Sequence, residues 1–406
     1  MVKFGDVVRQ VSEAVRDPAK EGLDRIVGLE HIDSDDLHIK RWDDIGEGTS
    51  FSKRFRRGQV LFGRRRAYLR KVAYAEFDGI CSGDITVMES KGNELLPELL
   101  PFLVQTDGFY EHTQKVSAGG LSPRAKWRDL AGYEFALPPI PEQRRIAEIL
   151  WAAERAEVQW AGCAKQLANL TDAWLGEYSR TADAAVRGAN PQLTVVGENL
   201  SWDVRQWRHC TLGDIARIRR GASPRPIGDP RWFSSDGPGW VRIADVTASD
   251  GVLTKTTQYL SAEGVSRTVR VFPGQVIMSI CATIGEPIIV GMEACIHDGF
   301  VVFDELSLIG PEFLVWLLRS RGSYFKKHGQ PGTQVNLNAD IVKECAILVP
   351  PPQVQERIVA FLSDIAATRR KVEDACRSIA ALRSKYLQAE LSSGRRGAPD
   401  RAAGAS

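Results

Sequence analysis

The chain lacks the signatures of an autonomous enzyme. It has no Gly-Lys dipeptide, so the phosphate-cradling loop GxxxxGK[ST] is excluded. HExxH and GxSxG are also missing, which removes the common zinc-protease and serine-hydrolase arrangements. Asn190-Pro191-Gln192-Leu193 only superficially resembles an amino-methyltransferase NPP-aromatic motif, without its second proline or its aromatic. Carboxylates are plentiful, but none cluster as a convincing acid/base pair, so no catalytic residue is assigned. Cysteine is sparse: seven, an odd number, never spaced as CxxC. That argues against a disulfide frame or a zinc site and for reduced thiols in a cytoplasmic protein. Cys295-Ile296-His297 and His209-Cys210 come nearest to metal pairs and read as thiols beside hydrogen-bonded histidines, so no metal is expected. No apolar run approaches the roughly 18–20 residues of a membrane span, and the N-terminus lacks a signal-peptide core. Charge of either sign is not in excess. Lys and Arg number 53 against 51 Asp and Glu, a net charge of +2, so any surface for a polyanion must be a local patch.

What is present is a repeat. Leu137–Leu150 reads LPPIPEQRRIAEIL and Val349–Leu362 reads VPPPQVQERIVAFL, sharing Pro138/Pro350, Pro139/Pro351, Gln143/Gln355, Arg145/Arg357, Ile146/Ile358 and Leu150/Leu362. Weaker matches precede it in the same order: Phe4-Gly5-Asp6-Val7 with Leu212-Gly213-Asp214-Ile215, Ile26-Val27-Gly28-Leu29 with Trp240-Val241-Arg242-Ile243, and Gly58-Gln59-Val60-Leu61 with Gly274-Gln275-Val276-Ile277. Solenoid repeats have periods of about 20–50 residues, whereas this one spans roughly half the chain. It therefore implies two homologous domains, each followed by its own helix.

The pattern of short β-branched runs between Gly, Asp and Pro, with helical stretches such as Leu308–Arg319 opened by Pro311, makes each domain α+β. The boundaries expected are a first domain at 1–140, a helix at 141–180, a polar linker at 181–206, a second domain at 207–352, a helix at 353–391 and a disordered tail at 392–406. Along the first helix Ile146, Leu150, Trp160, Leu167 and Trp174 follow a 3.5-residue seam; Ile358, Ile365, Val372, Ile379 and Tyr386 do so along the second, with Leu382 in the same series. Two such helices are expected to pair as an antiparallel coiled coil, with Glu157 and Thr171 as polar register-setting positions on the seam.

Basic residues are concentrated. Lys53, Arg54, Arg56, Arg57, Arg64, Arg65, Arg66, Arg70 and Lys71 fall within one short stretch, interleaved with Phe51, Phe55, Phe62 and Tyr68. Arginine's planar fork suits phosphate oxygens and guanine edges, so this stretch is the first candidate for nucleic-acid contact, against the alternative of a solvated face. The equivalent part of the second half carries fewer charges: Arg217, Arg219, Arg220, Arg225, Arg231 and Arg242. A polar loop there offers Lys326, Lys327, Gln330, Gln334, Asn336 and Asn338, suited to phosphates and adenine edges, or to a capped turn. Its positional counterpart is 118–126, with different polar residues.

Two α+β domains, each closed by the PPIPEQRRIAEIL or PPPQVQERIVAFL segment and a long helix, resemble the specificity subunit of type I restriction–modification systems, over essentially the whole chain. The second copy departs where Val354 replaces Glu142. The resemblance implies two target-recognition domains, each binding half of a split site on double-stranded DNA. It implies that the paired helices set the spacer and dock two methyltransferase subunits, and that motor–endonuclease subunits join for restriction. The subunit would be non-catalytic and without cofactor, the methyl donor and ATP belonging to partners. Two alternatives stay open: a specificity subunit of a combined, non-type-I restriction–methylation enzyme, and a coiled-coil scaffold that binds DNA without sequence preference.

Overall fold

The computed structural model describes residues 1–47, 50–92, 94–117, 124–188, 192–195, 200–329 and 337–391. The chain divides into two units: Met1–Ala161 with the chain from Glu373 onward, and Gly162–Val372. Both are α+β.

In the first unit, Val8–Val11, Ile85–Ser90, Val60–Gly63 and Val72–Tyr74 lie side by side as an antiparallel sheet. A second sheet runs Glu13–Ala14, Lys53–Phe55, Gly79–Cys81, Arg25–Val27 and Asp43–Asp44. Its one parallel pairing sets Ile26 beside Ile80 and Val27 beside Cys81. Phe4, Phe62, Phe102, Phe109 and Tyr110 build the main core, which also takes in Ile146, Leu150, Leu387 and Leu391 from the long helices.

The second unit repeats this frame. Arg217–Arg220, Phe300–Asp304, Val276–Ser279, Pro287–Val290 and Val252–Leu253 form one sheet, and Gln258–Leu260, Phe233–Val241, Ala294–Ile296 and Val269–Val271 the other. The parallel pairing recurs, Trp240 beside Cys295 and Val241 beside Ile296. The match of Ile26-Val27 with Trp240-Val241 is thus a match of strand register. The Gly-Gln turns recur too. Gly58 and Gly274 take φ +90° and +88°, a conformation suited to glycine. Gln59 Oε1 accepts from Arg56 N–H at 2.8 Å, and Gln275 Oε1 from Phe272 N–H at 2.7 Å.

The long helices are Ile140–Val186 and Pro352–Leu391. The first runs past the expected end at 180, and the expected linker also contains paired strands, Gln192–Val195 and Leu200–Asp203. The tail after Leu391 lies outside the described residues. The repeated glutamine explains how each helix leaves its domain. Gln143 Nε2 donates to Glu94 O and Pro138 O at 2.7 and 2.8 Å, while its Oε1 accepts from Leu96 N–H. Gln355 Nε2 donates to Leu308 O and Pro350 O, both at 2.8 Å. Both side chains are buried, and each donates both to a carbonyl of the proline run and to one in the domain before it, tying the helix start to its domain.

The seam needs correction in places. Ile146, Leu150, Trp174, Ile358, Ile365 and Val372 are buried, and Leu167, Ile379 and Tyr386 are half-buried. Trp160 and Leu382, however, are 41% and 67% exposed. A straight α-helix drifts by about 20° per heptad from a strict 3.5-residue repeat. The inward stripe therefore passes through Gln143, Ala147, Leu150 and Glu154 and continues at Glu157, leaving Trp160 outside. Within the first unit Arg383 reaches Glu154 and Glu157 at 2.9 and 2.6 Å, while Arg145 approaches Glu390 at 3.5 Å. Residue numbers fall along one helix as they rise along the other, so these segments are antiparallel. Thr171, by contrast, donates back to Leu167 O of its own helix at 3.2 Å.

Candidate nucleic-acid interface

The basic stretch of the first unit separates into structural and exposed residues. Lys53 lies on an inner strand, where its ammonium donates to Ile85 O at 2.7 Å and burial lowers its pKa. Arg54 pairs with Glu21 at 2.7 Å and Arg56 with Glu13 at 2.9 Å. Arg70 is held by Asp35 and Asp107 at 2.7 and 2.8 Å and lies over the Tyr110 ring; Lys71 donates to Leu29 O. Paired with carboxylates or hydrogen-bonded to backbone carbonyls, these side chains build the domain rather than a cationic face.

What stays outward is smaller. Arg57 sits exposed on the tight turn before Gly58. Arg64, Arg65 and Arg66 follow the strand Val60–Gly63, with Tyr68 58% exposed just beyond. Arg64 Nε is shielded from solvent and has no hydrogen-bond partner among the described residues. Arg66 is exposed and takes a left-handed backbone, φ 54° and ψ 54°. That costs a residue with a Cβ about 1–2 kcal/mol, and such positions gather at functional sites. Beside this turn runs the chain from Arg124: Ala125 N–H donates to Arg64 O at 2.9 Å, and Arg65 and Arg124 form a bridge. Asp84 lies between them, 2.8 Å from Arg124 Nε and 3.7 Å from Arg65. Sequence reasoning missed Arg124 and Asp84, because their role depends on two distant loops meeting.

The second unit has the same two loops. Ile280 N–H donates to Gly299 O and Leu337 N–H to Ile280 O, both at 2.8 Å, just as Arg64 N–H meets Asp84 O at 3.0 Å and Ala125 N–H meets Arg64 O. In that register Ala282, φ 56°, stands where Arg66 stands, and Cys281 where Arg65 stands. Lys126 and Asn338 both precede a short helix, Trp127–Leu130 and Ala339–Lys343. The correspondence expected between 118–126 and the loop ending at Asn338 therefore holds for its described part. Gln330, Gln334 and Asn336 lie outside the described residues. Asn338 Oδ1 accepts from Asp340 N–H at 3.2 Å, so its oxygen caps a helix. Lys326 and Lys327 are exposed in the last turn of Gly322–His328, where the helix dipole favours cations.

The other second-half arginines are placed differently from expectation. Strand pairing makes Val269–Val271, with only Arg270, the counterpart of Lys53–Phe55; the arginines around 217–225 belong to an edge strand and the segment after it. Arg219 is paired with the buried Asp304. Arg220 donates to Asp298 O at 2.8 Å and Arg225 meets the Asp298 carboxylate at 3.1 Å. Against its desolvation, the Ser223 hydroxyl and Arg225 hold the Asp298 carboxyl below the usual range.

Glu30, His31 and Asp43 approach one another closely enough to suggest a metal site. His31 Nδ1, however, accepts from Gly28 N–H at 2.9 Å, so the neutral ring carries its proton on Nε2, which faces Asp43 at 3.4 Å. Neither nitrogen offers a lone pair to an ion. Cys295 is a buried thiol on an inner strand, and His297 Nδ1 accepts from Gly299 N–H at 2.9 Å. No helix among the described residues is long and apolar enough to cross a membrane.

Comparison with known proteins agrees with this duplicated architecture. The EcoDI type I restriction enzyme specificity subunit of Escherichia coli is 30% identical over 176 residues, 40% of this chain and 39% of that one, so the match spans about two fifths of the relative's length. A chain from a structure concerned with complex assembly and conformational transition of the type I R-M system is 24% identical, covers 95% of this chain and 96% of itself, and gives a TM-score of 0.59. The S subunit of the type I restriction-modification system from M. genitalium is 12% identical, covers 95% and 94%, and gives 0.57. At these identities the two structures speak to the fold. The profile of the type I restriction modification DNA specificity domain matches residues 37–158 and 205–374, one match in each half and most of the sequence together. The chain belongs to the type I restriction modification DNA specificity domain family.

Proposed function

We propose that the chain is the sequence-specific DNA-binding subunit of a type I restriction–modification assembly, each unit reading one half of a bipartite duplex target. The observation that carries this reading is a single frame used twice with unlike chemistry at the same place. Arg64-Arg65-Arg66 beside Ala125 in one unit stands where Ile280-Cys281-Ala282 beside Leu337 stands in the other. Two copies kept for stability alone have no need of opposite polarity at matched turns, whereas two readers of different half-sites do.

In this reading the helices pair along their length as an antiparallel coiled coil, fix the spacing between half-sites and dock two methyltransferase subunits, with motor–endonuclease subunits joining for restriction. The subunit itself is non-catalytic and cytoplasmic, and the methyl donor and ATP reside on its partners. Methylome sequencing of cells carrying the chain and its neighbouring partner genes tests it. Replacing Arg65 and Arg66 by alanine should degrade one half of the methylated motif and leave the other intact. A salt-sensitive DNA affinity without any preferred sequence would instead make the chain a non-specific scaffold.

A further inference from the structure

The loop that follows the parallel pairing recurs in both units, and in each it carries an aspartate. Ser82-Gly83-Asp84 joins Gly79–Cys81 to Ile85–Ser90, and His297-Asp298-Gly299 joins Ala294–Ile296 to Phe300–Asp304. The acid holds the last place in one loop and the middle place in the other. Each is braced by a serine. Asp84 N–H donates to Ser82 Oγ at 3.2 Å, and the Ser223 hydroxyl donates to Asp298 Oδ1 at 2.6 Å. Each carboxylate then holds an arginine from a distant part of its own unit. Arg124 meets Asp84 through Nε at 2.8 Å and Nη2 at 3.3 Å, and Arg225 meets Asp298 through Nη2 at 3.1 Å. Arg124 comes from the chain before Trp127–Leu130, and Arg225 from the segment after Arg217–Arg220. The same clamp is thus built twice from unlike pieces.

Stability gives little reason for such clamps. The Arg124 and Arg225 side chains are 54% and 70% exposed, and ion pairs so open to water contribute little. Phosphate binding gives less reason still, because a carboxylate in the patch repels a polyanion. What the carboxylate does is fix the direction of the fork. Asp84 takes Nε–H and one Nη2 hydrogen of Arg124, which leaves Nη1 and the second Nη2 hydrogen. Those hydrogens lie at the far end of the planar guanidinium, spaced for two acceptors side by side. Guanine offers that pair, O6 and N7, in the major groove. An arginine held in place beforehand also loses less side-chain entropy when it binds. Arg225, held by one contact where Arg124 has two, is the less constrained of the pair.

We propose that Arg124 and Arg225 each read a guanine in the half-site of their unit, and that Asp84 and Asp298 are positioning residues that aim them. This rests on the reading of the chain as a bipartite DNA binder, and adds to it one base in each half-site.

Methylome sequencing and duplex binding, with the full chain and its partner subunits, test it. R124K and R225K keep charge and length but lose the planar fork. Each should lose preference for one guanine, by roughly ten- to hundredfold, in opposite halves of the motif and with the salt dependence unchanged. D84N should relax the same guanine as R124K while binding random duplex as well as the parent or better, because a negative charge has gone. D298N should do the same in the other half, more weakly. A half-site without guanine, or a guanine kept in the lysine variant of its unit, overturns that reader. A guanine lost in R124K but kept in D84N overturns the positioning role of Asp84. Failure of the underlying reading looks different, since the parent complex would then methylate no bipartite motif at all.

Discussion

Arg66 brings together backbone strain, exposure and charge in one residue. Its left-handed conformation is matched by Ala282 in the other unit, so the turn geometry belongs to the frame while the side chain differs between the units. The two contributions separate experimentally. Arg66→Gly removes the left-handed penalty and should leave the melting temperature unchanged or higher, by up to about 1 kcal/mol of stability. The same variant should bind its duplex more weakly and with a shallower salt dependence, measured by fluorescence anisotropy. Arg66→Ala keeps the strain and loses the charge, so it should match Arg66→Gly in binding but not in stability. A glycine variant that binds DNA like the parent would remove Arg66 from the interface. This residue also shows the limit of reading composition. The basic run around it is visible in sequence, but Arg54, Arg56 and Arg70 pair with Glu21, Glu13, Asp35 and Asp107 from elsewhere in the chain, and Lys53 and Lys71 turn to the backbone carbonyls of Ile85 and Leu29. Charge density along a sequence cannot distinguish an outward arginine from one neutralised by a residue that the fold brings in.

At the scale of the element, the first-unit helix segments are joined by a buried charge cluster as well as by apolar residues. Glu154 is 4% exposed, and desolvation raises its pKa, with Arg383 opposing and Glu157 adding to the rise. Removing Arg383 leaves Glu154 and Glu157 side by side with His38, 4.0 Å from Glu154, as a nearby cation-forming group, and deleting one partner of a buried pair costs about 3–5 kcal/mol. A carboxyl whose folded-state pKa lies above its unfolded value binds more protons when folded. Its stabilising contribution is therefore complete below the ordinary glutamate value of 4.5 and is lost as pH rises through the elevated folded value. Arg383→Met raises that value further by removing the opposing charge. Its deficit in denaturant unfolding should be greatest at neutral pH and shrink as the solution is acidified toward 5. A pH-independent deficit would mean that Arg383 acts by packing alone. The sequence signals here were partly legible: the apolar period located both helices, and Glu157 stood out as polar on the seam. Glu154 and Arg383 did not, because the stripe moves off a strict 3.5-residue repeat as the helix precesses. Gln143 and Gln355 stood out as shared columns, yet the carbonyls they bind could be known only from the fold.

For the whole molecule, the proposed reading turns helix length into DNA spacing. The duplication was legible in sequence because its most similar segment, the proline run and helix start, makes the same glutamine contacts at the exit of each helix. The domains upstream are harder to match because their frame survives through strand register and turn geometry while surfaces diverge, as at Arg64–Arg66 and Ile280–Ala282. If the helices form the ruler of a bipartite reader, shortening both by the same number of turns must shorten the spacer without altering either half-site. Seven residues are two turns, so removing one heptad from each of Ile140–Val186 and Pro352–Leu391 keeps the inward face aligned and shortens a helix by about 10 Å at 1.5 Å per residue. B-form DNA rises about 3.4 Å per base pair, so the recognised spacer should contract by roughly three base pairs. Deleting the heptad from only one helix breaks the match between partners and should reduce binding to every spacer. Methylated-motif mapping for the two deletions reads both outcomes. An unchanged spacer after the paired deletion would show that the helices hold the units without measuring between them, and would leave the half-site assignments of the two loop pairs untouched.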